Sequence, residues 1–434
     1  MLFINYCKKV LTGFLFFISL FIISISCDST EPPTNISLTL KLEDVSCTEA
    51  WLQLTTNNIQ LPATINLLIN NSLTQTFSLS TNDSVLYIDS LLPNQTYKLI
   101  AAMQQSNNVS NEVTVTTMDT TSHNFTWQTF EFGQHSSSTL YDVAIINENN
   151  IWAVGEIYMN DSVGNPDPNR YNAVKWNGST WDVIRIPYNF QGTDFYNPIQ
   201  SVFAFNNNDI WFCGNGVIHW NGSEFTPIPI PTNVWGPYQM NKLWGSSSND
   251  LYAVGDAGNI AHYKNGSWTK IVSGTTTDIQ DVLGFKDAFT SETSVYCAVS
   301  YVFQNGDRKI LQIKSNTVDS LNWMDDKRIN SIWTSNNKFF FTAGDGVFEN
   351  KRGYWNQVID LPPYYSNNIR GNDLNDVFVC GDFGLLSHFN GSSWLTYNEH
   401  YMQGILFSIA TKNNIVVTVG LKGSKAIIVK GTRN

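Results

Sequence analysis

The chain has 434 residues and a formal net charge of -11, with only 14% charged but 13% aromatic residues. That length asks for more than one ordinary domain, and few charges beside many rings suit numerous short strands joined by polar turns. Nucleic acid is excluded as a partner, because no basic stripe exists to neutralise phosphates.

At the N-terminus, Lys8 and Lys9, the apolar run Val10 to Ile23, small Ser24 and Ser26, and then Cys27 read as an export signal. A Cys placed directly after small residues makes this stretch resemble a bacterial lipoprotein signal, with Ser24 standing where that family usually has Leu. The resemblance implies a signal peptide over 1-26, acylation of Cys27, a linker over 27-34, and a protein held by its lipid in the bacterial envelope, at the outer membrane or cell surface.

From about Asn35 to Met118 the pattern is alternation: Ile36, Leu38, Leu40 and Leu42, then Leu52 with Leu54, each able to bury one face of a sheet. The run Leu91-Leu92-Pro93-Asn94-Gln95-Thr96-Tyr97 resembles the tyrosine corner of fibronectin type III domains. That resemblance implies a β-sandwich over 35-118, with the Tyr97 hydroxyl bonding back to the backbone and Trp51 filling the core between the sheets.

From about Tyr141 onward one unit recurs, best seen in Asn241 to Ile271, NKLWGSSSNDLYAVGDAGNIAHYKNGSWTKI. It reads as four short strands separated by turn residues. The end of the second strand recurs at Trp152 to Gly155, Trp211 to Gly214, Tyr252 to Gly255, Tyr296 to Ser300, Phe341 to Gly344, Val377 to Gly381 and Val416 to Gly420. A four-strand unit repeated at this spacing predicts an all-β fold containing a seven-bladed β-propeller over 124-434. The fourth strands are expected to begin at Trp181, Phe225, Trp268, Trp323, Trp355 and Trp394, and the last unit lacks one. Phe125 to Phe130 carries the fourth-strand signature ahead of the first unit, so it is expected to pair with the last unit and close the ring.

Several residue groups look chemical and read more simply as structure. Asn177-Gly178, Asn221-Gly222, Asn265-Gly266 and Asn390-Gly391 precede fourth strands, where Asn-Gly favours a tight hairpin. His219, His262 and His388 share one repeat position in separate blades, so they cannot converge on one metal and read as packing or hydrogen-bonding residues. Cys213, Cys297 and Cys380 likewise sit at matching positions of separate repeats and read as small buried residues. No cofactor and no metal site is expected.

Strand direction supplies the functional reading. Loops between second and third strands, and connections between blades, emerge on one face, whereas the opposite face carries mostly short turns apart from the turn before Val295. The first face receives long segments rich in rings, and Tyr158, Tyr171, Phe190, Tyr196, Trp235, Tyr238, Tyr364, Tyr365 and Tyr401 are its candidate ligand contacts. Arg370 joins them, because it takes the innermost-strand position that holds Phe203, Trp244 and Trp333 in other units. It has two readings, pairing with a ligand carboxylate or phosphate, or bonding to a neighbouring Asp such as Asp373.

The stretches LEDVSCTEAWL (Leu42 to Leu52), TTSHNFTWQTF (Thr120 to Phe130), YDVAIINENNIWAVGEIY (Tyr141 to Tyr158) and WGSSSNDLYAVG (Trp244 to Gly255) make the chain look like a group of exported bacterial propeller lipoproteins. Some members of that group carry the name glucosyltransferase. No Asp-x-Asp pair, Gly-rich phosphate loop or alternating strand and helix pattern supports such chemistry here. A sialidase-type glycosidase would need an Asp in the hairpin where Asn265 or Asn390 stands, and spacing nominates no pair of catalytic carboxylates. The expectation is therefore non-catalytic binding of a glycan or protein partner by the aromatic face, with a carbohydrate-active enzyme as the alternative.

Overall fold

The computed structural model describes residues 35-286, 293-301, 306-324, 326-335 and 339-434. The export signal, Cys27 and the turn before Val295 lie outside these residues. The described chain is built from strands, with two single-turn 3-10 helices and no α-helix. It divides into two compact units, the first made of 35-41, Gln53–Leu86 and Lys98–Thr114, the second of Leu42–Leu52, Tyr87–Tyr97 and the described part of Val115–Asn434.

The first unit is organised by alternation. Leu38 and Leu40, Leu54, Ile65 and Leu67, Leu86, Leu99 and Ala101 are all buried, and their neighbours along each strand face water or the margin. In the second unit the Leu92 N–H donates to the Tyr97 hydroxyl at 2.9 Å, the bond expected of the tyrosine motif. Trp51 departs from expectation. Its ring joins an apolar cluster of the second unit with Phe339 and Phe341, and its Nε1–H donates to the Lys351 carbonyl at 3.1 Å. A large ring with one polar atom settles where that atom finds an acceptor, and strand alternation carries no such information.

Among the described residues the second unit contains seven four-stranded antiparallel sheets, within 139-184, 199-228, 240-271, 279-321, 329-357, 366-396 and 404-433, the last completed by Phe125–Phe132. The expected closing pair forms: Phe125–Phe132 runs antiparallel to Lys425–Arg433, from Phe132 opposite Ala426 to Phe125 opposite Arg433. The first strands of successive sheets touch in chain order, and that of the seventh touches that of the first.

The repeated glycine has a steric cause. Each first strand enters with a β-bulge opposite the end of the second strand. A Cβ on Gly155, Gly255, Gly344, Gly381 or Gly420 would lie within 2.2 Å of the carbonyl oxygen just before or at the start of that strand. The glycines therefore record a close backbone crossing.

Two details of the repeat differ from expectation. In the fourth sheet the last strand is Thr317–Leu321, entered through Ser315 and Asn316 at φ of 47° and 68°, so Trp323 lies beyond it. Of the Asn-Gly pairs, only Asn265-Gly266 makes a two-residue hairpin with both residues at positive φ. Asn177, Asn221 and Asn390 open four-residue loops instead, each accepting the N–H groups of the second and third following residues on its side-chain oxygen.

The three repeat histidines bond to the Asp that opens the neighbouring second strand: His219 to Asp209 at 2.9 Å, His262 to Asp250 at 2.6 Å and His388 to Asp376 at 2.9 Å. The sixth sheet adds a link to the closing strand. His388 Nδ1 lies 2.8 Å from Nδ1 of His123, two residues ahead of Phe125, and Arg433 from the opposite strand reaches Asp376. If His388 donates its Nε2–H to Asp376, its Nδ1 must accept from His123, which leaves His123 Nε2 buried without a partner. Burial, then His388 and Arg433, bring the His123 pKa down to about 4 from an ordinary 6.5. Burial likewise depresses His388, outweighing the Asp376 carboxylate.

Between those values the unfolded chain takes up a proton that the folded chain refuses, so stability drains as pH falls. The urea midpoint should therefore drop as pH is lowered from about 6.5 to about 4. Replacing His123 with Phe should flatten part of that drop, and an unchanged wild-type midpoint across the window would refute this account.

Candidate functional site

Counting along each first strand, the residue just after the bulge is Asp142, Ser201, Lys242, Asp281, Ser331, Asn368 and Ser408 in the seven sheets. Every one is polar, although the sheets around them are apolar. Their side chains bond from sheet to sheet. Asp142 accepts the Val202 N–H at 3.0 Å, Ser201 that of Leu243 at 3.2 Å, Asp281 that of Ile332 at 3.3 Å, Ser331 that of Ile369 at 3.3 Å and Asn368 that of Ile409 at 3.2 Å. Hydroxyls complete the pattern, with Ser201 and Ser408 each donating to Asp142 at 2.7 Å and Ser331 to Asp281 at 2.6 Å.

Two cations balance the two carboxylates. Lys242 Nζ donates to Asp142 at 2.6 Å, and Arg370 makes a forked pair with Asp281 at 2.6 and 2.9 Å. Burial opposes the charge on Asp142, but Lys242 and the serine hydroxyls outweigh it and hold the carboxyl below its ordinary range. Burial likewise opposes the Arg370 charge, and Asp281 more than restores it. Arg370 is thus committed to an internal carboxylate one sheet removed from its neighbour, not to Asp373. A forked guanidinium already filled by a buried partner has little left for a ligand anion.

The ring candidates fall into separate groups. Tyr158 and Tyr141 both donate to Glu156 at 2.9 Å, and Arg170 pairs with the same carboxylate at 2.9 Å. Arg185 lies over Tyr171 at 3.9 Å and Tyr196 at 5.6 Å while bonding Asp167. Phe190 is exposed near the tip of the hairpin formed by Tyr188–Phe190 and Thr193–Phe195. Tyr365 lies beneath Arg328, at 4.8 Å. Trp235 is only 5% exposed and donates its Nε1–H to the Tyr238 carbonyl at 2.8 Å, so it packs inside its loop and leaves Tyr238 exposed. The expectation that Trp235 faces a ligand is corrected accordingly.

One group differs from these in being both open and clustered. Tyr364, Phe383 and Tyr401 stand 5.1 to 6.4 Å apart, and the Phe383 and Tyr401 rings are within 14° of parallel. Phe383 is 47% exposed and Tyr401 62%. Phe383 also has φ of 58°, a left-handed conformation that costs a bulky residue roughly 1 kcal/mol or more. Phe383 is not among the ring residues that the sequence picks out, because it sits in a short turn and outside the long loops. Comparing turns would have found it: the third sheet has Asp256-Ala257-Gly258 where the sixth has Asp382-Phe383-Gly384, with φ of 54° at Ala257. A small residue would satisfy the turn, so the ring is surplus to local structure.

No family model matches this chain, and no curated protein does. Among solved structures it is similar to "YCF48 bound to D1 peptide", with 13% identity over 71% of this chain and 97% of that one, at a TM-score of 0.52. It is also similar to YCF48 from Cyanidioschyzon merolae, with 14% identity over 71% and 98% of the two chains at 0.49, and to the C-terminal WD40 domain of Sif2, with 13% over 77% and 90% at 0.43. At these identities the likeness concerns the fold, a β-propeller.

The ring of polar residues should dominate stability. Arg370→Met leaves Asp281 buried without its cation and should cost about 3–5 kcal/mol in urea unfolding. Adding Asp281→Asn should recover a large part of that loss; equal losses in the single and double variants would show that the charge pair is not the cause.

Proposed function

We propose that this protein is an exported lipoprotein, lipidated at Cys27, whose propeller serves as a non-catalytic docking scaffold for a protein partner. The domain plan is a fibronectin type III-like domain over 35-118 and a seven-bladed propeller over 124-434. The Tyr97 bond to Leu92 supports the first, and the cyclic contacts of seven first strands support the second. The lipid anchor rests on the order Lys8, Lys9, apolar run, Ser26, Cys27.

The observation that carries the docking role is the cluster of the exposed Phe383 and Tyr401 with the half-buried Tyr364. Rings with few rotors provide contact area at low entropic cost, and a strained Phe kept at a turn where Ala suffices signals a purpose other than folding. The trio lies in loops on the face where blade connections emerge. The D1 peptide held by the matched YCF48 structure is a precedent for peptide capture by this fold.

A peptide display selection on the intact protein tests the role. The wild type should enrich peptides with apolar or aromatic residues, and a Phe383→Ala, Tyr401→Ala variant should bind the selected peptide about tenfold or more weakly with an unchanged melting temperature. Unfolding of that variant, or unaltered binding, would remove the trio from the site. Glycan array binding lost in the same variant, with no peptide selected, would replace the protein partner with a glycan.

Anchoring is tested by fractionation. The wild-type protein expressed in a bacterium should sediment with membranes and incorporate labelled fatty acid, and Cys27→Ser should do neither. Membrane retention of unlabelled Cys27→Ser would overturn the lipid anchor.

A further inference from the structure

A cavity of about 250 Å³ lies at the centre of the seven sheets, lined by the first strands. Its wall residues all fall at or after the polar ring position along each strand, so it extends from the ring toward the hairpins between first and second strands. The aromatic loops lie on the other side of the ring. Two residues beyond the ring position come Ala144, Phe203, Trp244, Leu283, Trp333, Arg370 and Ala410 in sheet order. The cavity is lopsided for that reason: the alanines of the first and seventh sheets leave room, and Trp244 and Trp333 stand across from them.

The aromatic wall is fixed. A Cβ on Gly284 would lie 2.0 Å from the Trp244 ring, and one on Gly371 2.7 Å from that of Trp333, so each indole is seated on a glycine of the next sheet. The floor is polar. Lys242 gives one of its three hydrogens to Asp142, and Arg370 keeps its side chain partly open while paired with Asp281.

We propose that this cavity binds a single neutral sugar ring. The volume sits just below the roughly 300–1,000 Å³ usual for small-molecule sites, which suits one ring and not a chain of them. The floor carries Asp142, Lys242 and Arg370, and Asp281 buried behind Arg370 cancels its charge, so the sum is zero and draws neither anion nor cation; an anion at Lys242 would also meet Asp142 2.6 Å away. An apolar ring alone would strand the remaining Lys242 donors in a desolvated site. A sugar offers both surfaces the site asks for, an apolar face for the part-exposed Trp244, with the buried Trp333 backing the wall, and hydroxyls for Lys242. The inference does not rest on the docking role, because the polar ring separates the two regions.

The test titrates the full-length protein with methyl glucoside, methyl galactoside, methyl mannoside and N-acetylglucosamine, and with glucuronate, glucosamine and N-acetylphenylalaninamide, reading tryptophan fluorescence and saturation-transfer NMR. At least one neutral sugar should give a saturable response about tenfold stronger than either charged sugar or the phenylalanine derivative. Ala410→Phe fills the open side and should abolish that response with peptide binding at the loops retained. Should that variant fail to fold, Trp244→Phe keeps the core filled and should weaken sugar binding several-fold. The proposal is overturned if no neutral sugar saturates, if a charged sugar or the phenylalanine derivative binds as well, or if binding survives both substitutions. Loss of peptide binding with sugar binding intact would strike the docking role alone.

Discussion

The second unit depends on a conflict between charge and burial at its centre. Successive sheets crowd their first strands against one another, and just past the bulge in each strand backbone N–H groups face the preceding sheet. Such groups cost about 1–3 kcal/mol each if buried without acceptors. Asp142, Ser201, Asp281, Ser331 and Asn368 supply the acceptors, and the charge that two of them bring is cancelled by Lys242 and Arg370. An apolar residue at any of these positions would pack well and still lose the bond between sheets.

The same arrangement divides the molecule into regions with different freedoms. Where first and second strands cross, the glycines admit no side chain. Beyond the polar ring on one side, the loops vary in length and hold their rings in local groups, of which those around Tyr158, Tyr171 and Tyr365 are tied by an Arg or a carboxylate. Tyr364, Phe383 and Tyr401 meet through ring contact, and Phe383 and Tyr401 present faces to solvent where Tyr171 and Tyr196 lie under Arg185.

What could be read in the chain follows from where each signal resides. The second strands, buried on both sides and ending at a crowded glycine, repeat in composition, and Trp152 to Gly155 and its counterparts were visible for that reason. Phe125–Phe132 was legible because it completes a pattern. The polar ring was not, since its members are Asp, Ser, Lys and Asn, which share only hydrogen-bonding capacity and lie about 40 to 60 residues apart. Trp235 and Phe383 exchanged places against expectation for a related reason: exposure depends on whether a ring finds an acceptor or a cleft within its loop, as Trp235 does at Tyr238, and residue type does not reveal that.

The closing pair sets an order of assembly. Thr126 and Asn434, bonded to each other, are 308 residues apart, and bringing ends so distant together costs about 5 kcal/mol of loop entropy before any contact repays it. During synthesis Phe125–Phe132 emerges before every other strand of the seven sheets and its partner Lys425–Arg433 after them, so the first strand made of those sheets is the last to be paired. Until then it is an unpaired edge with Phe and Trp side chains, and another copy's Lys425–Arg433 fits it as well as its own. Dilution therefore selects the closed single chain, and crowding of nascent copies favours exchange of this strand between them.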